Sequence, residues 1–111
     1  MAARAQPTSV RRGEIWWAEH PVAGRRPVLI LTRDEAIEHL SEILIVPSTR
    51  TVRDIPTHVR LDESDGMREP CALALDNVGP IAKGFLVERM TKLDPTKMGE
   101  VCAALRTATS C

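Results

Sequence analysis

Four aliphatic residues entered through a proline, Pro27-Val28-Leu29-Ile30-Leu31, constrain this chain more than any other stretch. The run is too short for an ordinary helix. Its proline removes a backbone donor and biases Arg26 toward extended geometry. Such a run reads as a strand buried on both faces. Gly24-Arg25-Arg26 precedes it and sets two arginines on a polar turn at the strand's mouth. A second apolar run, Ile43-Leu44-Ile45-Val46-Pro47, ends in Ser48, Thr49 and Arg50. The pattern predicts that the two strands pair and bring Arg26 and Thr49 together as an anion-binding site.

The rest of the chain supplies further short strands. Trp16 and Trp17 follow a glycine in a β-favouring segment, and adjacent strand residues point to opposite faces. One tryptophan is therefore core and the other lies on a surface or a subunit contact. Glu19 to Arg25 reads as a loop, a flap beside the Arg26 site, with His20 in it. A lone loop histidine is ordinarily solvated. Thr32 to Leu40 reads as a helical connection of about two turns, and Glu42 to Pro47 as the strand that delivers the hydroxyls. His58 to Leu61 alternates as a half-solvated strand does. The acidic stretch Asp62 to Pro70 lacks the order of ligands of a calcium loop and reads as solvated. Cys71 to Leu75 reads as a buried strand ending at Asp76 and Asn77, a third strand terminus with hydrogen-bonding groups. Val78 to Gly84 breaks the chain, and Phe85 to Leu93 is the last strand. Asp94 and Pro95 then start a helix whose Met98, Val101, Cys102 and Leu105 form one apolar stripe. The expected architecture is mainly β (α+β): a small, strongly bent sheet or barrel with a short connecting helix and a C-terminal helix. It occupies residues 10–107, between a disordered tail at 1–9 and a frayed one at 108–111.

A length of 111 residues makes one domain the natural reading. No apolar run approaches the ~20 residues of a membrane span, and the first residues lack the apolar centre of a secretory signal. Three cysteines without C-x-x-C spacing argue for a reducing, cytoplasmic setting and against a disulfide framework or zinc site. The formal net charge is zero. Proteins that coat duplex nucleic acid carry a large basic excess, so any nucleic-acid function here is local, built on a few grouped arginines.

Arg12-Gly13-Glu14-Ile15-Trp16-Trp17, Gly24 to Leu31, and Ile45-Val46-Pro47-Ser48-Thr49 stand in the order and rough spacing of a known pattern. Leu75-Asp76-Asn77 and the proline-started final helix fit it as well. From about Arg11 to Leu105 the chain resembles the MazF/PemK family of toxin endoribonucleases. That resemblance implies an SH3-like (CcdB/PemK-type) barrel and a homodimer that cuts single-stranded RNA, without metal or other cofactor, in a groove between subunits. It also implies a cognate MazE-like antitoxin whose disordered segment competes for that groove. The family's arginine before the proline falls on Arg26 and its threonine on Thr49, with Ser48 preceding. Three departures stand out: a short flap, Asn77 where many members have glutamine, and no tyrosine.

Phosphate chemistry agrees with these residues. Attack of a 2′-hydroxyl on the adjacent phosphorus passes through a pentavalent species with extra negative charge. A guanidinium stays protonated and can bond two phosphate oxygens at once, so Arg26 suits that charge, and Thr49 can hold an oxygen or orient the nucleophile. Arg25, Ser48, Arg50, Asp76, Asn77, Glu19 and His20 are the further substrate-contact candidates. Arg26, Glu19 and His20 are the candidates to carry protons. Two other readings compete: a CcdB-like toxin that poisons gyrase, and an SH3-like RNA- or peptide-binding module without chemistry.

Overall fold

The computed structural model describes residues 10–111, so the tail expected at 1–9 lies outside the described residues. Seven strands form one sheet: β1 (Glu14–His20), β2 (Gly24–Ile30), β3 (Glu42–Thr49), β4 (His58–Leu61), β5 (Cys71–Ala74), β6 (Gly79–Ala82) and β7 (Leu86–Lys92). Helix α1 (Asp34–Ile37) links β2 to β3, and α2 (Pro95–Thr109) closes the chain. The order is β4-β5-β3-β2-β1-β7, with β6 also paired to β3. All pairings are antiparallel. A mainly β fold with a short connecting helix and a C-terminal helix is what the sequence predicts.

The hub is β3. It pairs with β6 along Glu42–Ile45, with β2 along Ile45–Pro47 and with β5 at Ser48–Thr49. Its polar C-terminal end is thus held in a strand and is not a loop beyond one.

Alternation along β1 and β2 fills two cores, because successive strand residues face opposite ways. Ile15, Leu29 and Leu31 join Val59, Leu73 and Val101 in the core beneath α2. Trp16, Val28 and Ile30 join Ile37, Ile43 and Ile81 in the other. This explains why the Val28–Leu31 run has no polar face. Glu14, buried at the start of β1, is fully engaged: its Oε1 accepts from the Arg11 amide at 2.8 Å and the Trp16 indole at 3.0 Å, and its Oε2 meets Arg89 at 2.8 Å.

Several boundaries differ from expectation. The loop read from Glu19 to Arg25 is only a tight turn, Pro21 to Ala23, between β1 and β2. Arg25 and Arg26 therefore stand inside β2, opposite Glu19 and Ala18, and not on a turn. His20 makes the turn short by accepting from the Val22 and Ala23 amides at 3.0 Å each through Nδ1. The connecting helix has one turn, Asp34–Ile37, where two were expected, and Arg33 at its N-cap position offers no side-chain cap. Val78 to Gly84 contains a strand, β6, that the sequence reading lacked. The tail expected to fray is 108–111; the last helix runs to Thr109 and ends on Ser110 in a left-handed cap.

Candidate active site

The β2–β3 register puts Val28 opposite Pro47. The ladder between the two strands ends there, and residues just beyond it on each strand, Arg26 and Thr49, line one cleft. Pro27 has no amide to give, and its carbonyl instead accepts from the Ser48 hydroxyl at 2.8 Å. Ser48 is thus a brace that ties the two strand ends. Thr49 Oγ1 accepts from the Thr51 amide at 3.1 Å, which fixes the oxygen and leaves its own proton to give.

These side chains open on a cleft of about 560 Å³. Arg25, Arg26, Ser48, Thr49 and Arg50 all line it. So do residues that the sequence reading did not single out for a site: Trp17, Met67, Arg68, Glu69, Cys71 and Met90. Trp16 is 1% exposed and belongs to the core, whereas Trp17 is half-buried and stands in the cleft wall.

The arginines differ in their partners. Arg25 lies over the Trp17 ring, 4.6 Å from its centroid, with Nη1 2.5 Å from Glu19 and Nη2 3.7 Å from Glu88. Arg50 is bound to Glu69 at 3.1 Å. Among the described residues Arg26 and Arg68 form no ion pair. Two exposed guanidinium groups without carboxylates therefore face a common space, the arrangement that binds an anion.

The remaining candidates lie elsewhere. Asp76 accepts from the Thr57 hydroxyl at 2.6 Å in the 3₁₀ turn after β5, and Asn77 sits in that same turn; neither lines the cleft. Glu19 is held by Arg25, and His20 packs edge-on against Phe85 with ring centroids 5.2 Å apart. Burial, with Glu69 and Asp65 adding to it, pushes the Cys71 thiol up from its ordinary value, which keeps it protonated. Arg68 was findable in principle. It lies three residues before β5, and the β3–β5 pairing at Thr49 and Ala72 carries that loop to the site.

A family model described as PemK-like, MazF-like toxin of type II toxin-antitoxin system matches residues 11–109. The chain belongs to the PemK/MazF toxin family. Among relatives of this PemK/MazF chain, the probable endoribonuclease MazF5 of Mycobacterium tuberculosis is 40% identical over 101 residues, covering 90% of this chain and 93% of that protein. The solved structure of Mycobacterium tuberculosis toxin MazF-mt6 matches with a TM-score of 0.81 at 30% identity, over 87% of this chain and 96% of that one. A mycobacterial endoribonuclease solved in complex with its cognate antitoxin matches with a TM-score of 0.81 at 27% identity, over 91% and 95%.

Proposed function

We propose that the cleft between β2 and β3 binds the scissile phosphate of single-stranded RNA and that Arg26 and Thr49 carry out the cut. The observation that carries this is the guanidinium of Arg26, without an ion-pair partner among the described residues, lining the same cleft as the Thr49 hydroxyl that the Thr51 amide fixes. The chain is a toxin of a type II toxin–antitoxin system and an endoribonuclease, as its family and its relatives are. Neither the gyrase-poisoning alternative nor the module without chemistry is favoured beside relatives named as endoribonucleases.

The proposed reaction is attack of the 2′-hydroxyl on the adjacent phosphorus. The P–O5′ bond breaks, the 5′-oxygen takes up a proton, and the products are a 2′,3′-cyclic phosphate and a 5′-hydroxyl. Charge builds on the non-bridging oxygens, and a preorganised guanidinium aimed there stabilises it in the transition state. Thr49 donates its free proton to a phosphate oxygen or to the 2′-oxygen. Glu19 and His20 are engaged off the cleft wall, so water takes the 2′-hydroxyl proton and water supplies the proton that the 5′-oxygen gains, while Arg26 stays protonated. The antitoxin is proposed to cover this same cleft, and a homodimer to complete the groove. No helix among the described residues is long and apolar enough to cross a membrane; action on cytoplasmic RNA is part of the proposal.

Purified protein incubated with unstructured RNA in chelator tests it. Discrete cuts ending in cyclic phosphate are expected. Arg26→Ala and Thr49→Ala should each lower the cutting rate about 10²–10³-fold at an unchanged circular dichroism spectrum. Intact RNA with the parent protein, or full activity in either variant, overturns the assignment.

A further inference from the structure

Arg25 and Arg26 are sequence neighbours that the fold gives different surroundings. Arg26 is exposed and without a carboxylate among the described residues, whereas Arg25 already has Glu19 at 2.5 Å and Glu88 at 3.7 Å. A cation so matched has little charge left for a phosphate. What it retains is a planar group whose central carbon lies 4.6 Å from the centroid of the Trp17 ring. Guanidinium planes and aromatic rings are the two surfaces on which proteins stack unpaired bases. Around this pair the cleft wall is apolar, with Pro27, Met67 and Met90.

We propose that Trp17 and Arg25 form a stacking platform for the nucleobase next to the scissile phosphate, while Arg26 and Arg68 take the backbone charge. The proposal rests on the reading of the cleft as the RNA site and adds how the base is held. Glu19 and Glu88 then act as positioning residues, holding the Arg25 guanidinium over the Trp17 ring. Arg68 becomes a phosphate contact one nucleotide from the cut.

The experiment first reads the parent protein's cut motif from the ends produced in a random-sequence RNA pool. It then measures binding of an oligomer of that motif carrying 2′-deoxyribose at the cut nucleotide, which the 2′-hydroxyl reaction leaves intact. Variants are Trp17→Leu, Trp17→Phe, Arg25→Lys and Arg68→Ala. Base stacking on one platform is worth roughly ten-fold in affinity. Trp17→Leu and Arg25→Lys should each weaken binding about ten-fold and broaden the motif at one position, without altering the salt dependence. Trp17→Phe keeps a ring and should retain most of the affinity. Arg68→Ala should lower the slope of log K against log salt by about 0.7, the value for one single-strand phosphate contact, and keep the motif. Because Trp16 is buried, indole quenching on binding reports Trp17 and should vanish in Trp17→Leu. If Arg25→Lys binds as tightly as the parent, with the same motif, the platform is overturned although RNA cutting stands. If the parent protein neither binds nor cuts RNA, the cleft reading falls with it.

Discussion

Gly66 shows how one residue can carry a constraint that no contact energy describes. It stands at φ 94° where the 3₁₀ turn Glu63–Asp65 ends, and a Cβ built there would lie 2.4 Å from Thr91 Oγ1 on β7. Both the left-handed backbone and the close approach exclude a side chain. Gly66→Ala should therefore cost about 1–3 kcal/mol, read as a lower urea midpoint at unchanged m-value. The candidate catalytic pair lies at the opposite extreme. Arg26 and Thr49 could be singled out because each is a polar residue at the end of an aliphatic run, and both line one cleft in the structure. Trp17 and Met90 were not legible as cleft residues, since only the assembled sheet brings β1 and β7 to the cleft.

Helix α2 is the element whose boundaries sequence specifies best at its start. Asp94 accepts from the Lys97 amide at 2.7 Å, and Pro95 occupies the first turn. Asp94→Ala should cost about 1 kcal/mol and lower the melting temperature by about 4 °C, as expected for a domain of this size; calorimetry checks both. Its far end was misjudged because threonines favour helices weakly, yet Thr107 and Thr109 donate back to the carbonyls four residues earlier. Strand β6 escaped for a different reason. Gly79-Pro80 looks like a break, but proline is tolerated where its missing donor faces away from the ladder, and Pro80 stands opposite Leu44 at just such a position. The β1–β2 turn looked long because a histidine side chain, and not the usual Asn-Gly pair, holds it.

At the scale of the whole molecule, the sheet separates two cores that share β1 and β2. Neither core can empty while the other stays packed, since every second residue of those strands belongs to each. Leu73→Ala beneath α2 and Ile43→Ala on the other side should each destabilise by about 2–5 kcal/mol and move one common unfolding transition. Two separable transitions in either variant would refute the coupling. The same shared construction bears on synthesis. Ser48 and Thr49 are aligned by β5, which is made more than twenty residues later. A polypeptide halted before Cys71 has Arg26, Thr49 and the Ser48–Pro27 tie, but it lacks the β5 partner of Ser48 and Thr49 and the Cys71 and Met90 walls of the cleft, so the pocket is finished only once the later strands are in place.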